Sequence, residues 1–293
     1  IHKFKCATIA EAEMLGMIQA KDVLLAYPVT GPKISRFRKL VQQYPGTHYA
    51  CLIDSAEGAT AIASAFEAEQ LTADVFIDLN VGMNRTGISP TDALALFEKT
   101  RKMKGIRVTG LHAYDGHIHD SDFATRKRKC LEAFHDVPAL RKNIESIAGH
   151  PLTLVAGGSP SYLIHAMEGD RECSPGTFIF WDKGYKDGLP EQPFEYAALL
   201  LCRVISIPTA NTLCVDLGHK SVAAEKPQPR VFFLNAPEAI PAAQSEEHLI
   251  LTVNNTSDYH IGQVLYGVPH HICPSVALYD QAMVIEDHLK TAV

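Results

Sequence analysis

The stretch LVAGGSPSYL, residues 154–163, decides between two ways of arranging a βα protein. Its apolar run ends in Gly157 and Gly158, where the backbone can approach a ligand closely, and Ser159 and Pro160 then predict the start of a helix. Such a turn attracts a phosphate, although the same pattern also serves simply as a helix cap. A dinucleotide-binding sheet has its glycine-rich turn after the first strand, whereas a (β/α)8 barrel has its phosphate site after strands 7 and 8. This turn comes late and no Gly-x-Gly-x-x-Gly follows an early strand, so the stretch favours the barrel.

Residues 1–185 alternate short β-rich apolar runs with segments of helical period. Thr8 and Glu11 have the spacing of a capping box, and Asp54 and Glu57 have it approximately. Ser89 precedes a proline at another predicted helix start. The predicted strands are residues 4–7, 23–27, 49–53, 75–79, 108–114, 152–155 and 177–180. Strict alternation of this kind predicts a parallel sheet with helical crossovers.

The number of predicted parallel strands is seven, whereas a closed barrel needs eight. An open doubly wound sheet would accept seven. The chain also begins almost inside its first predicted strand, so we expect a (β/α)8 barrel whose first βα unit is missing from this chain.

After about residue 190 the helical period gives way to short strands separated by turns rich in proline, glycine and asparagine. The predicted strands are residues 199–207, 212–216, 230–234, 248–253, 263–268 and 283–286. This pattern is typical of an antiparallel sandwich or small barrel. We therefore predict two domains, a barrel over residues 1–190 and a C-terminal β-domain over residues 191–293.

The bulk composition excludes some classes of partner. A net charge of −6 without a block of basic residues argues against a nucleic-acid partner, since such binding needs clustered lysine and arginine. No apolar run approaches the roughly 20 residues that span a bilayer, so no membrane partner is expected. Seven cysteines in a chain of 293 residues without a signal peptide are interpreted as reduced thiols of a cytoplasmic protein.

Polar side chains follow several of the predicted strands. DLNVGMNRTG (78–87) puts Arg85 at the carboxyl-end rim, and GLHAYDGHIH (110–119) sends His112 and Tyr114 to one side of a strand. CSPGTFIFWD (173–182) brings Gly176 and Thr177 to the turn before the last predicted strand. Each feature also has a plain structural interpretation, as a surface arginine, a core histidine or a turn.

HHICPS, residues 270–275, places two histidines and a cysteine within four positions. His271 and Cys273 have the spacing of metal ligands, and if the segment is extended their side chains lie on the same side of a strand. A buried turn is the alternative.

The motifs together resemble the D-threonine aldolase family, which is related to eukaryotic-type D-serine dehydratases and more distantly to alanine racemase. Members are fold-type III pyridoxal phosphate enzymes with an N-terminal (β/α)8 barrel and a C-terminal β-domain. The resemblance covers essentially the whole chain. It rests on FKCATIAEAEML, LLAYPVTGP, GMNRTG, GLHAYDGH, GGSPSY, PGTFIFWD, SEEH and HHICPSVALYD, in this order.

The resemblance implies a cofactor site. Arg85 should lie near the phenolic oxygen of pyridoxal phosphate, and His112 and Tyr114 should line its ring, although relatives often have glutamine in place of His112. The Schiff-base lysine is expected upstream of residue 1, with Lys3 and Lys5 interpreted as ordinary strand residues. The residues implied to hold the cofactor are Gly157, Gly158, Ser159, Gly176 and Thr177.

The resemblance also implies that His271 and Cys273 bind a divalent metal, for which a thiolate favours zinc while manganese is the alternative. The substrate would be a small D-amino acid, and the enzyme a homodimer. The expected activity is a lyase reaction on D-β-hydroxy amino acids, most simply retro-aldol cleavage to glycine and an aldehyde. Elimination of the D-serine dehydratase type, an amino-acid racemase and a non-catalytic pyridoxal phosphate carrier remain as alternatives.

Overall fold

The computed structural model describes residues 1–287 and 289–291. The chain divides into two compact units, Ile1–Pro175 and Gly176–Val293.

A parallel sheet flanked by helices forms the first unit. Its described strands are β1 (Lys3–Cys6), β2 (Asp22–Pro28), β3 (His48–Ile53), β4 (Ala73–Leu79), β5 (Ile106–Ala113), β6 (Thr153–Ala156) and β7 (Glu172–Cys173). The helices between them are α1 (Ile9–Met17), α2 (Pro32–Gln43), α3 (Ala56–Glu67), α4 (Pro90–Thr100), α5 (Phe123–Ala133), α6 (Val137–Ala148) and α7 (Tyr162–Glu168).

The strand order identifies the sheet as barrel-type. The seven parallel strands found among the described residues are neighbours in sequence order, β1 to β7. A doubly wound sheet would reverse its order at a switch point, and this one does not. Lys3 of β1 forms an ion pair with Glu172 of β7, so the sheet curves until its two edge strands face each other. The predicted barrel architecture is confirmed, and so is the strand count of seven in the described residues.

Both faces of the sheet are buried. Alternate residues of the strands pack with the helices into the main core, with Phe37 and Phe66 completely buried. The opposite, inner face carries a smaller apolar cluster of Leu24, Ala50, Leu52, Phe76 and Val155. This inner face is the lumen of the barrel-type sheet, and the polar side chains at its carboxyl end form the candidate site.

Of the four predicted helix starts, two are confirmed and two are wrong. Thr8 and Glu11 form a capping box at α1, and Ser89 caps α4. Ser55, not Asp54, caps α3 by accepting a hydrogen bond from the backbone N–H of Gly58 at 3.2 Å. The carboxylate of Asp54 instead accepts from the backbone N–H of residue 87.

Near the end of the first unit, two local predictions are wrong. Helix α7 begins at Tyr162, two residues after Pro160. The strand predicted at residues 177–180 is a 3-10 helix over Thr177–Ile179, and the seventh strand is the two-residue β7. A strand of two residues is too short to show an alternating sequence pattern. The apolar run that follows it therefore gave the stronger signal for a strand.

The second unit is mainly antiparallel, as predicted. Its described sheet has the order β10-β13-β8-β9-β12-β11, and β14 and β15 form a separate pair. The strands are β8 (Leu200–Thr209), β9 (Thr212–Val215), β10 (Val231–Phe233), β11 (Ile240–Gln244), β12 (Leu249–Thr252), β13 (Val264–Pro269), β14 (Val284–Glu286) and β15 (Leu289–Thr291). The helices are α8 (Lys183–Gly188) and α9 (Ile272–Val276). Strand β11 was not predicted because it contains Pro241, which is tolerated here since the strand lies at the sheet edge.

None of the described helices combines the length and the apolar character needed to cross a membrane.

Candidate active site

Three of the residues proposed to contact the cofactor meet at the carboxyl end of β4 and β5. Arg85, His112 and Tyr114 line one small pocket, together with Asp78 and Leu52. They meet because the carboxyl ends of neighbouring parallel strands lie at the same edge of a sheet. The structure therefore brings together residues that are separated in sequence by up to 29 positions, from 85 to 114.

His112 is buried and held by one carboxylate. Its Nδ1 lies 2.7 Å from Oδ1 of Asp78, its register partner on β4, and Asp78 also accepts a hydrogen bond from the Thr86 hydroxyl at 2.8 Å. Burial lowers the pKa of His112, and the cations Lys5 and Arg85 lower it further, against the opposing effect of Asp78. A neutral ring then donates its Nδ1–H to the carboxylate, which fixes the ring orientation.

A structured loop presents Arg85. Oδ1 of Asn80 accepts hydrogen bonds from the backbone N–H groups of Gly82 and Asn84, at 3.1 and 3.0 Å. Asn84 has a φ of 56°, a left-handed conformation that asparagine tolerates. The guanidinium carbon of Arg85 lies 5.2 Å from the ring centroid of Tyr114, a cation–π distance.

The glycine-rich turn at residues 157–159 is shaped by close contacts. Gly157 has a φ of 74°, and a Cβ there would lie 2.8 Å from Cδ2 of His165. A Cβ at Gly158 would lie 2.8 Å from Cε2 of Tyr114. The turn therefore packs its backbone directly against the Tyr114 ring, and Ser159 beside it is buried.

A buried hydrogen-bond network lies beneath this turn. Asp115, which is fully buried, accepts hydrogen bonds from Ser161 Oγ at 2.6 Å and from His165 Nε2 at 2.7 Å. Ser161 Oγ in turn accepts from the backbone N–H of Gly158 at 3.3 Å. Sequence reasoning missed this network, although the aspartate directly follows Tyr114 in the YDGH motif.

The same network also has the residue types of a metal site, because ligand atoms of Asp115, Cys130 and His165 lie within 4.8 Å of one another. Burial raises the pKa of the Cys130 thiol far above its usual value, and nearby Asp115 raises it further. The thiol therefore stays protonated and serves as a hydrogen-bond donor to Asp115. These contacts already account for all three side chains without an ion.

Lys3 and Lys5 differ in their surroundings. Lys3 is exposed and pairs with Glu172, as an ordinary strand residue would. Lys5 is partly buried, and its Nζ lies 5.0 Å from the ring centroid of Tyr114. Interpreting Lys5 as an ordinary strand residue therefore overlooked its place beside the pocket.

His271 and Cys273 lie at the start of α9 in the second unit. The segment is not extended, since His271 is the N-cap of this helix and Cys273 its second residue. Their side chains nevertheless hydrogen-bond to each other. That contact is the main reason why the pKa of His271 is raised and the pKa of Cys273 lowered. Nδ1 of His271 also lies 2.6 Å from Oε1 of Glu225.

Buried polar contacts fix this turn. The carboxylate of Asp182, only 1% exposed, accepts from the backbone N–H of Ile272 at 3.0 Å and from that of Tyr185 at 2.8 Å. Burial raises the pKa of Asp182. Thr177 Oγ1 lies 3.5 Å from Cys273 Sγ, so one of the proposed cofactor residues contacts one of the proposed metal ligands. Sequence reasoning identified neither Glu225 nor Asp182, because no local pattern connects them with residues 271–273.

The residues present fit both expected groups. A neutral histidine, a tyrosine ring and a turn without Cβ atoms suit a flat ring with a phosphate. Gly176 also leaves room, since nothing lies within 4 Å of a Cβ built there. An imidazole, a thiol of lowered pKa and a nearby carboxylate form a donor set that suits zinc.

Comparisons with known proteins agree with this architecture. The family model described as alanine racemase, N-terminal domain, matches residues 1–183, and a serine dehydratase domain model matches residues 197–285. A D-threonine aldolase from Arthrobacter sp is 27% identical over 289 residues, which is 96% of this chain and 75% of that protein. A D-serine dehydratase from Dictyostelium discoideum is 22% identical over 240 residues, covering 73% of this chain and 61% of that protein.

A solved structure shows the same fold over almost the whole chain. The crystal structure of D-threonine aldolase from Filomicrobium marinum superposes with a TM-score of 0.87 at 25% identity, covering 96% of this chain and 76% of that one. The first family model alone spans more than half of the sequence. The chain therefore belongs to the alanine racemase N-terminal domain family, among the pyridoxal phosphate-dependent proteins similar to D-threonine aldolase and D-serine dehydratase.

Proposed function

We propose that this protein is a pyridoxal phosphate- and divalent metal-dependent lyase that cleaves D-β-hydroxy amino acids, such as D-threonine, to glycine and an aldehyde. The observation that carries this proposal is the pairing of His271 with Cys273, with Thr177 in contact with the sulfur. A racemase of the alanine type needs bases on both faces of the ring and no metal pair. A non-catalytic carrier needs neither.

The cofactor, when bound, supplies an electron sink that stabilises negative charge at the substrate Cα. In the first unit, the neutral His112 and Tyr114 would line its ring and Arg85 would lie near its phenolic oxygen. The residues of the first unit that would hold its phosphate end are Gly157, Gly158 and Ser159. The resemblance alone assigns Gly176 and Thr177 to the cofactor.

His271 and Cys273 would bind the metal, with zinc favoured by the thiolate and manganese as the alternative. The ion would supply a Lewis acid for the β-hydroxyl of the substrate. Two protein ligands leave coordination positions for water and substrate, and Cys273 is exposed, as such a site requires. Glu225 would hold the Nδ1–H of His271 and so direct the other ring nitrogen to the metal.

Elimination of the D-serine dehydratase type is the second candidate. It is supported by Cys273, since a thiolate ligand leans towards this reaction rather than the aldol cleavage, and by the serine dehydratase domain match over residues 197–285. The two reactions share the same cofactor, metal and substrate class and differ in whether Cα loses its proton or its bond to Cβ.

We further propose that the protein works in the cytoplasm and as a homodimer. Support for the cytoplasm comes from the seven cysteines, all in the described part of the chain and all free. Support for a second copy comes from the exposed apolar pair Leu201 and Tyr266, which face each other across β8 and β13.

An assay of the full-length protein with pyridoxal phosphate and zinc or manganese tests the proposal. D-threonine should yield glycine and acetaldehyde, L-threonine should react about a thousandfold more slowly, and EDTA should remove most activity. The preference is expected because one configuration alone lets the β-hydroxyl reach the metal. The Lewis-acid interaction is worth several kcal/mol, and each 1.36 kcal/mol is about tenfold in rate.

The alternatives give different results in the same assay. Release of ammonia and a keto acid from D-serine would favour the dehydratase. Comparable turnover of D- and L-alanine, unaffected by EDTA, would establish the racemase. Bound cofactor without metal or turnover would indicate the carrier.

A further inference from the structure

The side chain of Lys5 lies on the inner face of the sheet. In the β1–β2 pairing Lys5 is the register partner of Leu24, and Leu24 belongs to the inner apolar cluster. Partners on neighbouring parallel strands point to the same face, so the lysine extends along the lumen. Its ammonium reaches Tyr114 at the carboxyl end, where the candidate pocket lies.

Two cations approach the same tyrosine ring. Nζ of Lys5 lies 5.0 Å from the centroid of Tyr114 and the guanidinium carbon of Arg85 lies 5.2 Å from it. Across the described residues, no hydrogen-bond acceptor or carboxylate pairs directly with Lys5 or Arg85. Two positive charges thus converge on one ring, and neither is in direct contact with a carboxylate of the described residues.

The acidic groups that face Lys5 are occupied elsewhere. Asp78 accepts from His112 and Thr86. Asp115 accepts from three buried side chains, those of residues 130, 161 and 165. An ammonium has three N–H donors and no acceptor, and in a partly buried place their lack of partners costs free energy.

The pKa of Lys5 agrees with this geometry. Burial and the positive charge of Arg85 lower the pKa of Lys5 from its usual value of 10.5 to about 8, against the opposing effects of Asp115 and Asp78. An anionic oxygen beside the ammonium would remove both penalties, because it would supply an acceptor and an opposite charge.

We propose that Lys5 is a ligand-binding residue that, together with Arg85, holds an anionic oxygen of the bound ligand beside Tyr114. This inference rests on the proposed function, which supplies two such oxygens: the phenolate of pyridoxal phosphate and the carboxylate of the amino acid. Lys5 would then determine how tightly this chain binds its ligand, in addition to the contacts expected of Arg85.

The test compares Lys5→Met, which keeps the length and removes the charge, with Lys5→Arg, which restores the charge. Lys3→Met is the matched control, since Lys3 lies on the same strand and pairs with Glu172 outside the pocket. The dissociation constant of pyridoxal phosphate is measured by absorbance titration, and that of glycine by the spectral change it causes in the cofactor-loaded protein. Thermal unfolding shows that each variant is folded.

Lys5→Met should raise one of the two dissociation constants by about tenfold or more, because the variant loses a charge-assisted hydrogen bond to the ligand. Lys5→Arg should recover part of the loss and Lys3→Met should change neither constant. If the dissociation constant of pyridoxal phosphate rises in the absence of glycine, Lys5 binds the phenolate of the cofactor. If the dissociation constant of pyridoxal phosphate is unchanged and that of glycine rises, Lys5 binds the carboxylate of the amino acid.

Equal constants in the wild type and all three variants would overturn the proposal. So would a pyridoxyl group found on Lys5 after borohydride reduction, because Lys5 would then act as a covalent nucleophile. A wild-type protein that binds pyridoxal phosphate but cleaves no D-β-hydroxy amino acid would remove the lyase function and leave the effect on the cofactor constant as support for Lys5. A wild-type protein that binds no pyridoxal phosphate would remove both.

Discussion

The hydroxyl oxygen of Thr177 lies 3.5 Å from the sulfur of Cys273, although 96 positions separate the two residues. Thr177 begins a short 3-10 helix and Cys273 lies in the first turn of α9. Asp182, five residues after Thr177, accepts a hydrogen bond from the backbone of Ile272 and so ties the two segments together. Within the second unit, one residue proposed for the cofactor and one proposed for the metal are therefore held in contact.

Removal of the His271 side chain should abolish both metal binding and lyase activity. His271→Ala deletes one of two protein ligands, and a single thiolate does not retain a divalent ion in competition with water. Absorbance of bound pyridoxal phosphate should stay largely intact, since the cofactor residues are unchanged. Metal content by mass spectrometry, activity and the absorbance spectrum check the three expectations.

His270→Ala is the matched control for this experiment. His270 precedes the pair, and its backbone, not its ring, holds the turn by accepting from Gly184. Metal content and activity should both remain close to wild type. Full metal content in His271→Ala would contradict the assignment of the pair.

Glu225→Gln should weaken metal binding rather than abolish it. The carboxylate lies 2.6 Å from Nδ1 of His271, and partners of this kind typically contribute about 10–100-fold to metal affinity. Titration with a competing chelator measures the change. Glu247→Gln is the control, because Glu247 is exposed and pairs with Lys220 at the surface. An affinity equal to wild type in Glu225→Gln would show that the carboxylate does not orient the ring.

The fold was largely predictable because its signals are local and repeated. Each of β2 to β5 is an apolar run bounded by turns, and their sequence order follows from strict alternation with helices. The errors lie where local pattern and tertiary structure disagree. The apolar run at 177–180 forms a 3-10 helix because the side chains of Thr177 and Asp182 contact the first turn of α9.

The candidate site was predictable only in part. Arg85 follows one predicted strand, and His112 and Tyr114 lie at the end of the next, so topology alone placed them together. Glu225 and Lys5 carry no such signal, because Glu225 lies 46 positions from His271 and Lys5 has the sequence context of an ordinary strand lysine. Their roles depend on register and on contacts between distant segments, which residue patterns do not contain.

The contribution of His48 to the stability of the protein should fall as pH rises from about 6.5 to about 9. Hydrogen bonds that His48 donates to Asp22 and Asp74, at 3.1 and 2.6 Å, raise its pKa from 6.5 to about 9. The folded state then holds a proton that the unfolded state releases near pH 6.5, so this contribution is complete below that pH and is lost as pH passes 9. Lys3 beside Asp22 and Arg107 beside Asp74 complete the ion-pair cluster.

The measurement is the free energy of unfolding by urea at pH 6 and pH 9.5 for the wild type and for His48→Gln. The difference between the two proteins should be larger at pH 6 than at pH 9.5. Lys5 is present in both proteins, so its contribution cancels in the difference between their free energies of unfolding. Its lowered pKa would otherwise increase stability as pH rises above about 8. A difference that does not change with pH would contradict the role of His48.

Gly158→Ala should weaken cofactor binding and destabilise the fold through one contact. The new Cβ would lie 2.8 Å from Cε2 of Tyr114, and the ring cannot move away because Gly116 packs on its other edge, where a Cβ would lie 2.4 Å from Cε1. Overpacking of this kind typically costs about 1–3 kcal/mol. Urea unfolding and absorbance titration with pyridoxal phosphate should both show the loss, whereas Gly46→Ala, with nothing within 4 Å of the added atom, should show neither. In a Tyr114→Ala background the Gly158→Ala substitution should cost little, since the conflict is then removed, and an equal cost in both backgrounds would contradict this cause.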